Sequence, residues 1–246
     1  GSNPNKDLDL LKSSHYVFAY NIKLSDNLRF CVEPYYQRLT GIPVSPDTYV
    51  STINMENDIF FNDLLVSKGS GRNIGVDLTL ERFLSNGFYY LATASFFDSK
   101  YTAADGIERN TRFNKNYVIN LLAGKEWVVG NNNNNILSAN IRLNYLGGNR
   151  KEAINEQLSK ANKEVVYGET NNSLAFEERF KDSPVFSFTL SYRKNKPNYS
   201  SVWSLQLLNA TGTKEFSNDF YNLNTGETDR KFDGIMVPNL SYRIEF

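Results

Sequence analysis

The only histidine in the chain, His15, directly follows Ser13 and Ser14. A serine nucleophile needs a histidine base within hydrogen-bond reach and a carboxylate to orient that base. His15 stands at the edge of the first extended segment, and the residues around it predict an exposed loop histidine rather than a base. Asp77 and Glu81 share a strand face four residues apart, which separates them by about 13 Å at a strand rise of about 3.3 Å per residue. That is too far for the paired carboxylates of a glycosidase. "KGSGRN" (68–73) has two glycines but lacks the Lys-Ser/Thr pair of a phosphate-binding loop and precedes a strand, so it is expected to be a flexible loop-to-strand transition. Cys31 is the sole cysteine. It excludes an internal disulfide framework and a multi-cysteine metal site, and its expected role is a small filler. No catalytic residue, metal or cofactor is expected.

What remains is a set of charged residues on one phase of an alternating pattern: Lys23, Arg29, Glu33, Asp77, Glu81, Glu126, Arg142, Arg193, Arg243 and Glu245. The elements that position them are strands. Tyr16, Phe18, Tyr20, Ile22 and Leu24 oppose Asn21 and Lys23. Leu28, Phe30, Val32, Pro34 and Tyr36 oppose Arg29, Cys31, Glu33, Tyr35 and Gln37, and residues 74–81 divide the same way. Tyr117 to Ala123, Leu137 to Tyr145, Phe186 to Arg193, Trp203 to Leu207 and Leu240 to Phe246 complete the series. Phe88 to Tyr101 carries aromatics on both faces, and its phase stays open. Short turns are predicted at Ser25 to Asn27, Ser85 to Gly87, Asn131 to Asn135 and Asn195 to Ser200. Long links fall at roughly 40–70, 103–114, 149–183 and 211–236, with room for a short helix within 151–166. Neither a domain boundary nor a fixed-period repeat interrupts the chain.

Composition narrows the classes. Lys plus Arg and Asp plus Glu each number 27 in 246 residues, so no global charge bias points to nucleic acid. No apolar run approaches the roughly 18 residues of a membrane-spanning helix, which leaves open a membrane barrel, whose alternating strands give a weak hydropathy signal. Nine amphipathic antiparallel strands fit either a soluble barrel or sandwich or an outer-membrane barrel. Three features favour the second: strands of 9 to 14 residues, aromatics at strand ends (Tyr16, Tyr36, Tyr117, Trp127, Tyr145, Tyr192, Trp203, Phe246), and short turns at one end with long loops at the other.

With the strands placed, the sequence resembles the barrel of TonB-dependent outer-membrane receptors, of the type carrying a carboxypeptidase-regulatory-like domain ahead of a plug. The likeness lies in "VEPYYQRLTGIPV" (32–44), "SKGSGRNIGVDLTLERFLSNGFYYLATASFFDSKYTAADG" (67–106), "RLNYLGGNR" (142–150), "SYRKNK" (191–196) and the closing "YRIEF". It covers nearly the whole chain, and none of its blocks is a catalytic signature. It implies a partial, all-β antiparallel outer-membrane barrel, about nine of 22 strands, over residues 3–246, with Gly1-Ser2 as a cloning scar. It further implies localisation in the outer membrane and import of a nutrient. The implied partners are the missing N-terminal strands and plug, outer-membrane lipid, the TonB complex acting through the plug, and the barrel-assembly machinery. That machinery would read the last strand through Leu240, Tyr242, Ile244 and Phe246. Strand parity places residues 3–14, 41–66 and 149–182 outside the cell. The ten charged residues are expected to face the lumen, and Leu143, Leu190, Leu240 and Ile244 the lipid. The alternative is an independent outer-membrane barrel acting as enzyme or adhesin.

Overall fold

The computed structural model describes residues 4–55, 63–130 and 134–246; the reading of Gly1-Ser2 and most of the Asn131 to Asn135 turn fall outside them. In chain order the strands are β1 (Lys12–Val17), β2 (Tyr20–Ser25), β3 (Leu28–Val44), β4 (Val66–Ser85), β5 (Phe88–Thr102), β6 (Glu108–Asn110), β7 (Tyr117–Val129) and β8 (Asn135–Leu146). After a short helix α1 (Glu156–Asn162) come β9 (Ser183–Asn195), β10 (Ser200–Leu208), β11 (Glu215–Asn222), β12 (Glu227–Asp233) and β13 (Val237–Glu245). The fold is all-β, and every pairing between these strands is antiparallel.

One sheet runs β1-β3-β4-β5-β7-β8-β9-β10-β13, with β2 also on β3 and β6 also on β5; β11 and β12 form a separate hairpin. The sheet is open, with β1 and β2 along one edge and β13 along the other. Its nine positions follow the nine alternating segments of the sequence. The first is split. β1 and β2 keep one register along β3, from Lys12 opposite Thr40 to Tyr20 opposite Val32, which places Phe18 opposite Pro34. Phe18 N–H donates to the Pro34 carbonyl at 3.1 Å, but proline has no N–H to return, so the ladder breaks there.

Strand-end chemistry sets the turns. Asn86 and Gly87 both have positive φ, 53° and 70°, the two-residue type I′ connection whose twist matches a hairpin. The 196–199 turn is closed by Lys196 N–H donating to the Tyr199 carbonyl at 2.8 Å. Long links occupy the opposite strand ends. Two of them hold structure that the alternation did not announce, the β11–β12 hairpin in 209–236 and β6 in 103–116. The helix expected within 151–166 forms over Glu156–Asn162, with the Asn155 side chain accepting from Leu158 N–H. "KGSGRN" is not a flexible transition but the interior of β4. A Cβ on Gly69 would lie 2.5 Å from Val44 Cγ1 and 2.7 Å from the Ile42 carbonyl oxygen, so close packing against β3 requires glycine.

Register settles the phase of β5. Ser95 is opposite Asp77 and Thr93 opposite Thr79, while Ala94 and Ala92 oppose Leu78 and Leu80. Tyr89, Leu91, Thr93, Ser95 and Phe97 therefore share the polar face. Here two tyrosines face glycines directly, Tyr35 opposite Gly75 and Tyr89 opposite Gly124. A Cβ on Gly124 would meet Tyr89 Cζ at 2.4 Å, and one on Gly75 would meet Tyr35 Cζ at 2.7 Å; each ring covers its bare glycine. Gly124→Ala is expected to lower stability by about 1 to 3 kcal/mol through overpacking, and Gly124→Ala/Tyr89→Ala to restore part of it. Unfolding of both variants in urea and detergent checks this; no loss in the single variant would show that the ring has room to move.

The other face is apolar and uncovered. Leu190 is 45% exposed, Ile244 44% and Leu240 71%, fractions that place no protein layer over them. Above this apolar zone β3, β4 and β5 run on for a further stretch, and the same face turns ionic: Arg72 pairs with Asp98 and Glu108, and Lys100 with Glu108 at 3.4 Å.

Candidate functional site

All ten charged residues singled out by the alternation lie on the polar face. Two groups meet across strands. Arg29 on β3 donates to Glu81 on β4 at 2.8 Å. At the far edge Glu245 on β13 receives Arg193 from β9 and Arg243 from its own strand, the latter at 2.7 Å. Lys23 turns to Asp26 in the adjoining turn. Glu126 and Arg142 form no ion pair among the described residues; Glu126 instead begins a row of registered serines, Ser138, Ser191, Ser204 and Ser241. The next row holds Asn140, Thr189, Gln206 and Asn239. Amides and hydroxyls bond sideways along such rows: Asn144 donates to Asn120, and Asn120 to Thr93 at 3.2 Å. The result is a lattice of hydrogen-bonding groups that can hold a polar solute or polypeptide.

Glu33 and Asp77 oppose each other directly and line a cavity of about 490 Å³ with His15, Tyr35, Gln37 and Ser95. Ser95 Oγ donates to Asp77 at 2.5 Å. His15 is a residue of β1 rather than of a loop, because residues 12–14 extend the edge ladder along β3 instead of belonging to the extracellular loop expected over 3–14. It is exposed, as expected, and its ring meets Tyr35 edge-on at 5.9 Å. No hydrogen bond joins His15 to Ser13 or Ser14 among the described residues, and Ser13 Oγ accepts from Gln37 at 3.0 Å. Asp77 and Glu81 have separate partners, Ser95 and Arg29. Cys31 is buried on this face.

The long links pack together above the sheet. Tyr49, Tyr101, Ala103, Ala153, Ala175 and Phe176 form a buried apolar cluster, drawn from four separate segments and carrying no local periodicity that could have announced it. Arg109 ties two of the links, its side chain only 2% exposed. Its guanidinium donates to both oxygens of Asp105, to both of Glu169 and to the Ile107 carbonyl, so all five N–H groups are used. Burial opposes the charge, yet the two carboxylates hold the Arg109 pKa above its usual value. Asp105 is held below the usual carboxylate range, first by hydrogen bonds from Arg109. At the rim, Asp182 accepts from Tyr117 at 2.5 Å and Tyr145 at 3.0 Å, anchoring the aromatic ends of β7 and β8 to the loop layer.

Leu240, Tyr242 and Ile244 share the apolar phase of β13, where Tyr242 packs on Trp203 at 4.4 Å between ring centroids, and Phe246 is fully exposed. No helix among the described residues is long and apolar enough to cross a membrane. Comparison with models of known protein families and with curated proteins finds no match.

Proposed function

We propose that the chain is the C-terminal part of the β-barrel of a TonB-dependent outer-membrane receptor, which imports a nutrient. The observation that carries this is the uncovered apolar face of one continuous antiparallel sheet, backed by a polar face of charges, amides and hydroxyls. A soluble sheet of this size buries its apolar side, whereas a membrane barrel turns it to lipid and keeps water-compatible groups within. The placement of short turns and long structured links at opposite strand ends also fits a periplasmic and an extracellular side.

On this assignment the polar face lines the lumen and meets the plug, and the two open edges pair with strands from the N-terminal part. An unpaired edge in hydrocarbon leaves backbone groups without partners at several kcal/mol each. The TonB complex acts through the plug, and the barrel-assembly machinery reads β13 and Phe246. Two experiments test this. Epitopes inserted near residues 172 and 224 should be labelled on intact cells, and one near 198 only after the outer membrane is breached; the opposite pattern inverts the topology. The full-length receptor should support uptake that stops when the proton-motive force is collapsed, while residues 3–246 behind a signal peptide should support none. Energy-dependent uptake by the fragment alone would favour an independent barrel.

A further inference from the structure

The chain has no net formal charge, but its cations are unevenly placed. A cavity of about 560 Å³ opens between the 147–182 link and the β11–β12 hairpin, and its lining includes six basic side chains: Lys115, Lys151, Arg179, Lys181, Lys214 and Arg230. Three of these are matched. Lys151 pairs with Glu178 at 2.8 Å, Arg179 with Asp182 at 3.4 Å and Arg230 with Asp219 at 3.1 Å. Lys115, Lys181 and Lys214 have no carboxylate at ion-pair distance among the described residues, and Glu215 is the one acid of the lining beyond Asp182. Two positive charges are left over.

The rest of the lining suits an anion attached to an apolar body. Phe180 stacks on Phe216 with ring centroids 4.4 Å apart, and Phe232 meets Phe180 edge-on at 5.9 Å. These rings form one wall. Asn149, also in the lining, has its side-chain oxygen buried without a hydrogen-bond partner. Buried polar atoms without partners are uncommon, and a half-turn of the amide exchanges that oxygen for an N–H₂ donor. Gly147 and Gly148 leave the floor without side chains because a Cβ on Gly148 would lie 2.1 Å from the Phe180 carbonyl oxygen.

We propose that this cavity is a binding site for a phosphomonoester carrying a ring or other apolar group. A phosphomonoester holds close to two negative charges at neutral pH, which equals the surplus. Mobile lysine ammonium groups serve a phosphate as point charges, while the phenylalanine wall takes the apolar part. A cavity of this size lies in the range of small-molecule sites. The phosphate can come from a soluble ester or from a lipid headgroup at the membrane rim, and the site chemistry is the same for both. The proposal does not depend on the receptor assignment and is read without transport.

The test titrates the 246-residue chain in a non-ionic detergent with 4-methylumbelliferyl phosphate, following its fluorescence, with neutral 4-methylumbelliferone as control. A second arm uses dioleoyl phosphatidic acid in the same detergent. Saturable binding of at least one phosphate probe is expected, weakening with salt and falling about ten-fold or more in Lys181→Gln/Lys214→Gln, the loss of one to two charge-assisted contacts. Both lysines are exposed, so the variant keeps its fold, with circular dichroism as the check. Phe216→Ala should weaken the aryl phosphate and leave inorganic phosphate competition unchanged. Binding of the aryl ester alone assigns a soluble ligand, and binding of phosphatidic acid alone assigns a headgroup. Equal binding of the neutral phenol, no binding of either phosphate, or unchanged affinity in the double variant overturns the site.

Discussion

Arg109→Ala is expected to loosen the loop layer by about 3 to 5 kcal/mol, the cost of leaving two carboxylates in a desolvated site without their shared cation. Glu169 and Asp105 are 18% and 30% exposed, so water relieves them only partly and the lower part of that range is expected. Limited proteolysis should cut within 147–182 much faster in the variant, and amide exchange in 103–116 should rise, while the strands below keep their protection. Arg109→Lys should fall between, because an ammonium has three donors in place of five. Unchanged proteolysis would mean that the apolar cluster around Phe176 holds the links without the ion pairs. The same site sets a pH dependence. The Asp105 pKa is lower when folded than unfolded, so its contribution is complete above the unfolded value of about 3.9 and is lost as pH falls through the folded one. The layer should open below ordinary carboxylate pH, ahead of the sheet.

Leu190→Arg is expected to disfavour membrane insertion by about 2 to 4 kcal/mol if the residue lies near the midplane, while Thr189→Arg is tolerated. The two positions adjoin on β9 and point to opposite faces: Leu190 opposes Leu205 and Ala139, and Thr189 opposes Gln206 and Asn140. The comparison therefore holds strand, depth and chemistry nearly constant and changes only the face. Folding into lipid vesicles, read as equilibrium unfolding of each variant, measures it. Equal cost at both positions would reverse the assignment of lipid and lumen faces.

The nine sheet positions were legible in the sequence because a strand between unlike environments must alternate. For the same reason the ten charged residues could be placed on one face before their partners were known. Four things were not legible. In β5, Tyr89, Leu91 and Phe97 carry apolar groups onto the polar face, where the Tyr89 ring covers Gly124 rather than meeting lipid, so alternation alone could not choose. In β11 a register irregularity between Phe216 and Asn218 breaks the period, and the hairpin reads only as part of the long link at 211–236. The apolar cluster of the links joins Tyr49, Tyr101, Ala153 and Phe176 across more than a hundred residues, a distance over which periodicity carries no information. The basic cavity escaped for a like reason, since Lys115, Lys181 and Lys214 converge only through the fold.

The missing N–H of Pro34 divides the edge strand into two ladders that meet at a weak point. β1 is held by a six-pair ladder on the upper part of β3 and β2 by a five-pair ladder on the lower part, with a bulge near Ser25. At Phe18 one hydrogen bond stands where an unbroken ladder would have two, so the halves are coupled more weakly there than within either ladder. Opening at this edge is thus a local event confined to a few residues rather than the release of a whole strand. An incoming strand that competes for β3 can displace β2 first and β1 afterwards, crossing two small barriers where an unbroken ladder would impose one large one.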